Sequence, residues 1–305
     1  MRRKRKSHVK YSKDVVFVGA NPAGIMSKWS TWKKIIRETK ASVWFLQETK
    51  NKRAKLKLDN FVVYERVRPL KDSDNGLGPG GGGVAIAAIK ELKPVLTREG
   101  EGETETITIE IHPKNMIISC TSAYGPQKKH SIETKKAFWT YNDEEVDKAW
   151  KDGKGYVLQG DLNARLGPEK LPNDPNPSNE NGRLFSDFLN RHPQLSVVNS
   201  LAICEGLITR RRVLCTGKVE EAALDFYVVC SRVLPYVMKM KIFDGSHHIL
   251  TNFTQVKKGE GATNSDHYCE VMKVKVEVMP TKPTKNEMLN FKKEDDQVKF
   301  NDLTN

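Results

Sequence analysis

The 305-residue chain has no run of about 18 apolar residues, so it offers no segment for a helix that crosses a membrane. Its N-terminus has no apolar stretch of the kind that forms a secretory signal; Arg2, Arg3, Lys4, Arg5 and Lys6 stand there instead. Cysteine is scarce. Cys120, Cys204, Cys215, Cys230 and Cys269 are odd in number, widely spaced and never in a CxxC pair, which speaks against a disulfide framework and against a structural zinc site. There is no repeat at a solenoid period.

Positive charge is abundant. The net charge is +13, and residues 1–13 contribute seven Lys or Arg and no acid. The remaining 292 residues still hold 44 basic against 38 acidic side chains, so the basic balance is not confined to the tail. Such a chain suits a polyanionic partner, and nucleic acid is the commonest.

Strand and helix signals alternate along the chain. Short buried strands are predicted at Val15–Val18, Val43–Leu46, Val84–Ile89 and Tyr156–Gln159, and further strands at 61–67, Met116–Ala123, 195–199, 222–229 and 268–278, the last with Lys273, Lys275 and Glu277 facing out. Thr104–Ile111 alternates strictly, with Ile107, Ile109 and Ile111 on one face, which predicts a strand with one wet face. Helical spacing appears over 27–40, over 133–150 and around Leu184, Phe185, Phe188 and Leu189. Residues 166–181 read as a loop, and Gly76 to Gly83 as a Gly-rich hairpin tip or a backbone able to approach phosphate. The pattern fades after 278. The expected organisation is a basic tail at 1–13, a domain at 14–278 and a linker-like tail at 279–305.

Several apolar strands end in a polar residue that would be awkward in a core: Asn21, Glu48, Tyr124, Asp161 with Asn163, Asp225, and Asp266 with His267. Strand ends are where a rigid scaffold presents chemistry. Asp225 sits inside the apolar run Ala222–Val229, so its carboxylate should be buried and in need of a partner, for which His267 is the candidate. The set suits metal-assisted phosphodiester hydrolysis. A hard divalent cation takes carboxylate oxygens, which Glu48 supplies. An attacking water needs an acceptor such as Asp161. Charge developing on phosphoryl oxygens needs fixed donors, for which Asn21, Asn163 and His267 are available.

The segments Asn21-Pro22-Ala23-Gly24, Leu46-Gln47-Glu48-Thr49-Lys50, Ala123-Tyr124-Gly125-Pro126, Gly160-Asp161-Leu162-Asn163-Ala164, Leu224-Asp225-Phe226 and Ser265-Asp266-His267 occur in this order. As an ordered set, over about residues 14–278, they resemble the endonuclease/exonuclease/phosphatase superfamily. The resemblance implies a four-layer α/β sandwich, two packed mixed sheets flanked by helices. It implies Glu48 as principal metal ligand with Asn21 beside it, and Mg²⁺ as the cofactor, with Mn²⁺ as a substitute. Asp161 would orient the water and Asn163 would hold the phosphate. His267, oriented by Asp225, and Tyr124 would contact the phosphate, with Asp266 at the metal or the leaving group. Ala23 stands where some relatives carry an acid, so the metal would be held less tightly at that edge.

Within the superfamily, Asn181–Leu189 followed by Leu195–Ser200 resembles the endonuclease domains of non-LTR retrotransposons. So do Thr209 with the basic loop Arg210, Arg211 and Arg212, and the tail Leu289–Lys293 with Phe300. This likeness implies a DNA-nicking enzyme that leaves a 3′-hydroxyl and a reverse transcriptase C-terminal to it in a parent polyprotein. Thr209, Arg210, Arg211, Arg212 and Ser265 are then the expected DNA contacts, and the nucleus the expected location. An abasic-site endonuclease, a phosphoinositide-type phosphatase and an inactive DNA-binding derivative share the same residue set. The polar approach Lys218-Val219-Glu220-Glu221 to the Asp225 strand disfavours the apolar pocket that an abasic enzyme needs.

Overall fold

A computed structural model of the chain describes residues 14–25, 40–51, 56–68, 82–243 and 265–276. The predicted helix over 27–40, both tails and most of the Gly-rich stretch lie outside the described residues.

Two mixed sheets face each other. The first is seven-stranded. It is built from β1 (Val15–Ala20), β2 (Val43–Gln47), β3 (Phe61–Arg66), β4 (Val84–Ile89), β10 (Cys204–Glu205), β14 (Val237–Phe243) and β15 (Cys269–Val274), in the order β10-β14-β15-β1-β2-β4-β3. The second is six-stranded. It holds β5 (Val95–Glu99), β6 (Glu105–Ile111), β7 (Ile118–Tyr124), β8 (Gly155–Asp161), β9 (Leu195–Val197) and β13 (Asp225–Cys230), in the order β5-β6-β7-β8-β13-β9. A separate hairpin pairs β11 (Arg210–Val213) with β12 (Val219–Ala222).

The strands in the middle of both sheets are near-continuous apolar runs because they are covered on both faces. Phe17, Phe45 and Tyr227 meet between the sheets, Phe45 edge-on to Tyr227 at 6.0 Å. On the outer face of the first sheet Val18, Trp44, Leu46, Ala85 and Ala87 form a second buried cluster. The outer face of the second sheet is capped by α1 (Ile132–Lys151) and α2 (Glu180–Arg191). Trp139 of α1 stacks on Phe185 of α2 at 5.2 Å, and Phe185 lies 5.4 Å from Phe226 of β13. The result is the expected α/β sandwich.

The structure departs from the sequence reading in several places, three of which bear on the packing. The polar face of β6 is not wet: Thr106 and Thr108 are fully buried under α1, and the Thr108 hydroxyl bonds to those of Thr121 and Tyr141. Threonine reads as polar in a pattern but packs like valine once its hydroxyl has a partner. The run 222–229 is not one strand, since Ala222 closes β12 and Asp225 opens β13. β14 is a strand that the sequence pattern does not predict. Met240 and Ile242 alternate with Lys239 and Lys241, but a bulge between Val237 and Lys239 breaks the period.

Candidate functional site

The polar strand ends converge at one end of the sandwich. Tyr124 and Asp161 lie side by side in the parallel β7–β8 register, and Asp161 is opposite Asp225 in the antiparallel β8–β13 register. β1 and β2 bring Asn21 and Glu48 from the first sheet, and His267 stands just before β15.

Hydrogen bonds and close ion-pair contacts link the set. Asp225 Oδ2 accepts from His267 Nδ1 at 2.8 Å, so the partner expected for the buried Asp225 is the one found. His267 Nε2 lies 3.6 Å from Asp161 Oδ2 and 3.8 Å from Asp266 Oδ1. Asn21 Nδ2 donates to Asp161 Oδ2 at 3.0 Å and to Glu48 Oε1 at 3.4 Å. The Tyr124 hydroxyl donates to Glu48 Oε1 at 2.6 Å and itself accepts from Gln127 Nε2 at 2.8 Å. Asn163 donates its N–H to Asp161 Oδ1 at 3.0 Å and its side-chain amide to the Gly125 carbonyl at 2.8 Å.

Glu48 and Asn163 hold left-handed backbone angles, φ 44° and 48°, which non-glycine residues adopt only where the surroundings enforce them. For Glu48 the enforcement is a web of backbone bonds. Its carbonyl accepts from Gly24, while the N–H groups of Thr49 and Lys50 donate to the carbonyls of Gly83 and Gly82. Gly82 and Gly83 are therefore neither a free hairpin tip nor a phosphate cradle but the seat of the Glu48 loop. A Cβ on Gly83 would come within 2.8 Å of the Thr49 hydroxyl. For Asn163 the clamp is the start of α2, where Asn179 donates its side-chain amide to the Asn163 carbonyl at 3.0 Å.

Electrostatics divide the site into roles. Burial by itself would lower His267, but the Asp225 and Asp161 charges and the bond to Asp225 outweigh it and raise the imidazole from 6.5 to about 10. It is a cation across the neutral range. Burial raises the Asp161 carboxyl; the nearby His267 opposes this, and Asp225 and Glu48 add to it. Burial would also raise Glu48, yet the Tyr124 hydroxyl and the Lys50 ammonium, 2.9 Å from Glu48 Oε2, hold it below the usual carboxylate range. Burial and the Asp161 and Glu48 charges push the Tyr124 hydroxyl well up, so it acts as a donor.

Some expected roles move. Asn21 Oδ1 accepts from the Ala23 N–H at 3.0 Å and its nitrogen faces both carboxylates, so as placed it orients Glu48 and Asp161 instead of offering an oxygen to a metal. Thr209, expected at the DNA, is fully buried; its hydroxyl accepts from the N–H groups of Leu224 and Asp225 at 2.9 and 3.0 Å and pins the Asp225 turn. Ser265 is buried as well, and its hydroxyl accepts from the His267 N–H at 3.1 Å. Neither side chain has surface left for a phosphate. Arg210 pairs through Nε with Asp266 Oδ2 at 2.8 Å, which joins the base of the hairpin to the site. Arg211 and Arg212 are exposed on that hairpin, Arg211 within 3.3 Å of Glu221.

Sequence reasoning missed Lys50, Gln127 and Asn179. Asn179 was legible: its side chain accepts from the Gly182 N–H at 2.7 Å as a helix N-cap, a signature that Asn-x-x-Gly before an apolar run carries. Gln127 had no such signal, because only the fold brings it back to Tyr124.

No family model matches the chain, and no curated protein does. Solved structures do. The endonuclease domain of TRAS1, a telomere-specific non-LTR retrotransposon, superposes with TM-score 0.57 at 15% identity over 85% of this chain and 98% of that one. The AP endonuclease LMAP from Leishmania major gives 0.62 at 17% identity, covering 92% of each chain. The catalytic domain of Xenopus laevis APE2 gives 0.62 at 14% identity, over 88% and 94%. The chain has the endonuclease/exonuclease/phosphatase fold. At these identities the likeness speaks for the architecture, and the case for chemistry rests on the residues. The polar set lies at one end of the two sheets, Glu48 from one sheet and Asp161, Asp225 and Tyr124 from the other.

Proposed function

We propose that this chain is a divalent-metal-dependent DNA endonuclease that cleaves one strand to leave a 3′-hydroxyl, in the role of the target-nicking domain of a non-LTR retrotransposon. The observation that carries the reading is the convergence of Glu48, Asn21, Asp161, His267 and Asp225 at the strand ends, joined by hydrogen bonds and, between Asp161 and His267, by an ion-pair contact, with a cationic histidine beside a carboxylate of raised proton affinity.

The donor set fits a hard cation. Glu48 is ionised and one-fifth exposed, it offers oxygen only, and the Lys50 ammonium marks the place where positive charge is favoured. Glu48, with Asp161 or Asp266, would hold Mg²⁺ or Mn²⁺. Among the described residues Asp161, Asp225 and His267 also lie within 4.8 Å of one another, but their short Asp225–His267 bond makes them a hydrogen-bonded unit before it makes them ligands. A bound divalent ion supplies neutralisation of phosphoryl charge.

The remaining work belongs to side chains. Asp161 accepts the proton of the attacking water, whose oxygen bonds to phosphorus as the bond from phosphorus to the 3′-oxygen breaks. The 3′-oxygen leaves as a hydroxyl after taking a proton from solvent. His267, held cationic by Asp225, and the Tyr124 hydroxyl are fixed donors for the phosphoryl oxygens. Asn163 holds the phosphate from the other side of Asp161. Arg211 and Arg212 supply backbone contacts on the DNA. A reverse transcriptase joined at the C-terminal side would use the new 3′-hydroxyl, and the Arg2–Lys6 cluster would serve nuclear entry.

The test is conversion of supercoiled plasmid to open circles with Mg²⁺, for the wild type and for Asp161→Ala, Glu48→Gln and His267→Ala. Each variant is expected to lose about 10²-fold or more, as does removal of the metal with EDTA. End analysis should find 3′-hydroxyls at undamaged sites. Cleavage confined to abasic sites would move the role to repair. A wild type inactive with Mg²⁺ and Mn²⁺, or nicking that survives Asp161→Ala, would sink the reading.

A further inference from the structure

Directly beneath the site, between the sheets, lies a row of polar side chains in what should be a core. Gln47, Ser122, Gln159 and Glu270 are fully buried and Asn199 nearly so. Glu270 Oε2 accepts from Gln159 Nε2 at 3.0 Å, and Glu270 Oε1 accepts from Asn199 Nδ2 at 3.1 Å. Asn199 straddles the backbone of β13: its Nδ2 also donates to the Asp225 carbonyl at 3.1 Å, and its Oδ1 accepts from the Tyr227 N–H at 2.9 Å. Gln159 Oε1 accepts in turn from Gln47 Nε2 at 2.9 Å, and Gln47 Nε2 also reaches the Ser122 hydroxyl at 3.1 Å.

The spacing of these residues along their strands matters. Gln47 immediately precedes Glu48, Gln159 stands two residues before Asp161, and Glu270 three after His267. Asn199 grips Asp225 itself. The row thus has one member on, or bonded to, each strand that delivers a site residue except β1. Space for it has been made on β1, where Gly19 is opposite Glu270, and a Cβ on Gly19 would come within 2.1 Å of Gln159 Nε2.

We infer that Glu270 is a positioning residue: with Gln47, Gln159 and Asn199 it forms a buried relay that sets Glu48, Asp161, Asp225 and His267 in register across the two sheets. Stability gives no reason for the arrangement. A carboxyl buried in a core is costly, and replacing such a polar network by packed apolar side chains is commonly neutral or stabilising. What the network provides is direction, since each of its bonds fixes a strand against sliding by a fraction of an ångström. A displacement of that size matters at a site where reacting atoms must be held at contact distance. Burial, and then the Asp225 charge, raise the Glu270 carboxyl, which favours its neutral form and makes glutamine a close copy. The copy can keep the relay's bonds. Asn199 cannot turn, because both ends of its amide are used, but Gln159 and Gln47 can. After the turn Gln47 Oε1 would accept from Gln159, and Gln47 Nε2 would take the place where Oε1 now has no partner.

The inference rests on the nuclease reading only for its activity arm, so the experiment has a second readout. Glu270→Leu and Glu270→Gln are compared with the wild type for plasmid nicking, for thermal midpoint, and by NMR for the strongly hydrogen-bonded Nδ1 proton of His267. In Glu270→Leu the nicking rate at saturating DNA should fall about tenfold or more with KM little changed, the midpoint should hold or rise, and the His267 proton should be lost to exchange. Glu270→Gln should restore both rate and proton. A folded Glu270→Leu with wild-type rate and an intact proton would overturn the inference. Should that variant not fold, Gln159→Met removes the bonds of Gln159 to Glu270 and Gln47, leaves Asn199 on Glu270, and is read by the same two signals. A wild type that nicks no DNA, yet shows a His267 proton that Glu270→Leu removes, would sink the nuclease reading and leave the relay standing.

Discussion

A histidine whose proton is held by two carboxylates makes a prediction of its own. His267 sits 2.8 Å from Asp225 and 3.6 Å from Asp161, and its pKa is raised from 6.5 to about 10. A raised histidine contributes stability that is complete below the unfolded value and disappears as pH rises through the folded one. The stability of the metal-free protein should therefore fall between pH 6.5 and about 10 on account of this group. Asp225→Asn removes the charge that dominates the shift, so its urea midpoint should be lower than that of the wild type at neutral pH and converge on it near the alkaline end. The measurement is a pair of urea curves in EDTA across that range. Curves that stay parallel would mean that Asp225 does not hold the proton. At this scale the sequence was a good guide. A carboxylate inside the apolar run Ala222–Val229 had to be buried and paired, and His267 is the partner that both sequence and structure give it. Thr209 and Ser265 failed for the converse reason: a hydroxyl beside basic residues, as at Thr209, or in a polar stretch, as at Ser265, reads as a surface group, and nothing local shows that it caps a backbone turn.

At the scale of elements, the β11–β12 hairpin is the piece whose role depends on exposure. Its base is tied to the site by Arg210–Asp266, and the Arg211 N–H donates to the Asp266 carbonyl at 2.8 Å, so the hairpin has a fixed relation to His267. Beyond that base Arg211, Arg212 and Val213 point into solvent. If Arg211 and Arg212 meet phosphates, each alanine substitution should weaken duplex binding in a way that fades at high salt. The slope of log affinity against log salt should drop by about 0.9 for each phosphate no longer neutralised. Binding titrations at several salt concentrations measure the slope directly, and an unchanged slope in the double variant would remove the hairpin from the interface. Arg210→Ala should behave differently, affecting catalysis more than the slope, because its guanidinium already serves Asp266. The hairpin was only a basic loop in the sequence, since Arg-Arg-Arg-Val opposite Val-Glu-Glu-Ala has no apolar face to give a period. Strands with a buried face, such as β2, β4 and β8, were legible because the core wrote their pattern; edge pieces such as β5 and β10 were not.

For the molecule as a whole, the site is a joint between two sheets. Glu48 is carried by the first and Asp161 by the second, and the six polar segments that carry the resemblance are spread from residue 21 to residue 267. Their order could be read from the sequence; their convergence could not, because it depends on which strands pair, and residues over a hundred positions apart end up bonded, as Asn21 is to Asp161. A cation held by Glu48 together with Asp161 would be gripped from both sheets and would bind only the assembled sandwich, so its affinity would appear as stability of the entire fold. At a concentration ten times the dissociation constant the gain is about 1.4 kcal/mol, or roughly 3–6 °C in thermal midpoint for a domain of this size. Calorimetry with increasing Mg²⁺ should show that rise in the wild type, and Glu48→Gln should show almost none while melting at a similar temperature in EDTA. A wild-type midpoint indifferent to Mg²⁺ and Mn²⁺ would mean that the carboxylates do not hold a metal across the joint. An equal rise in Glu48→Gln would place the ion elsewhere, with the Asp161, Asp225 and His267 cluster the first place to look.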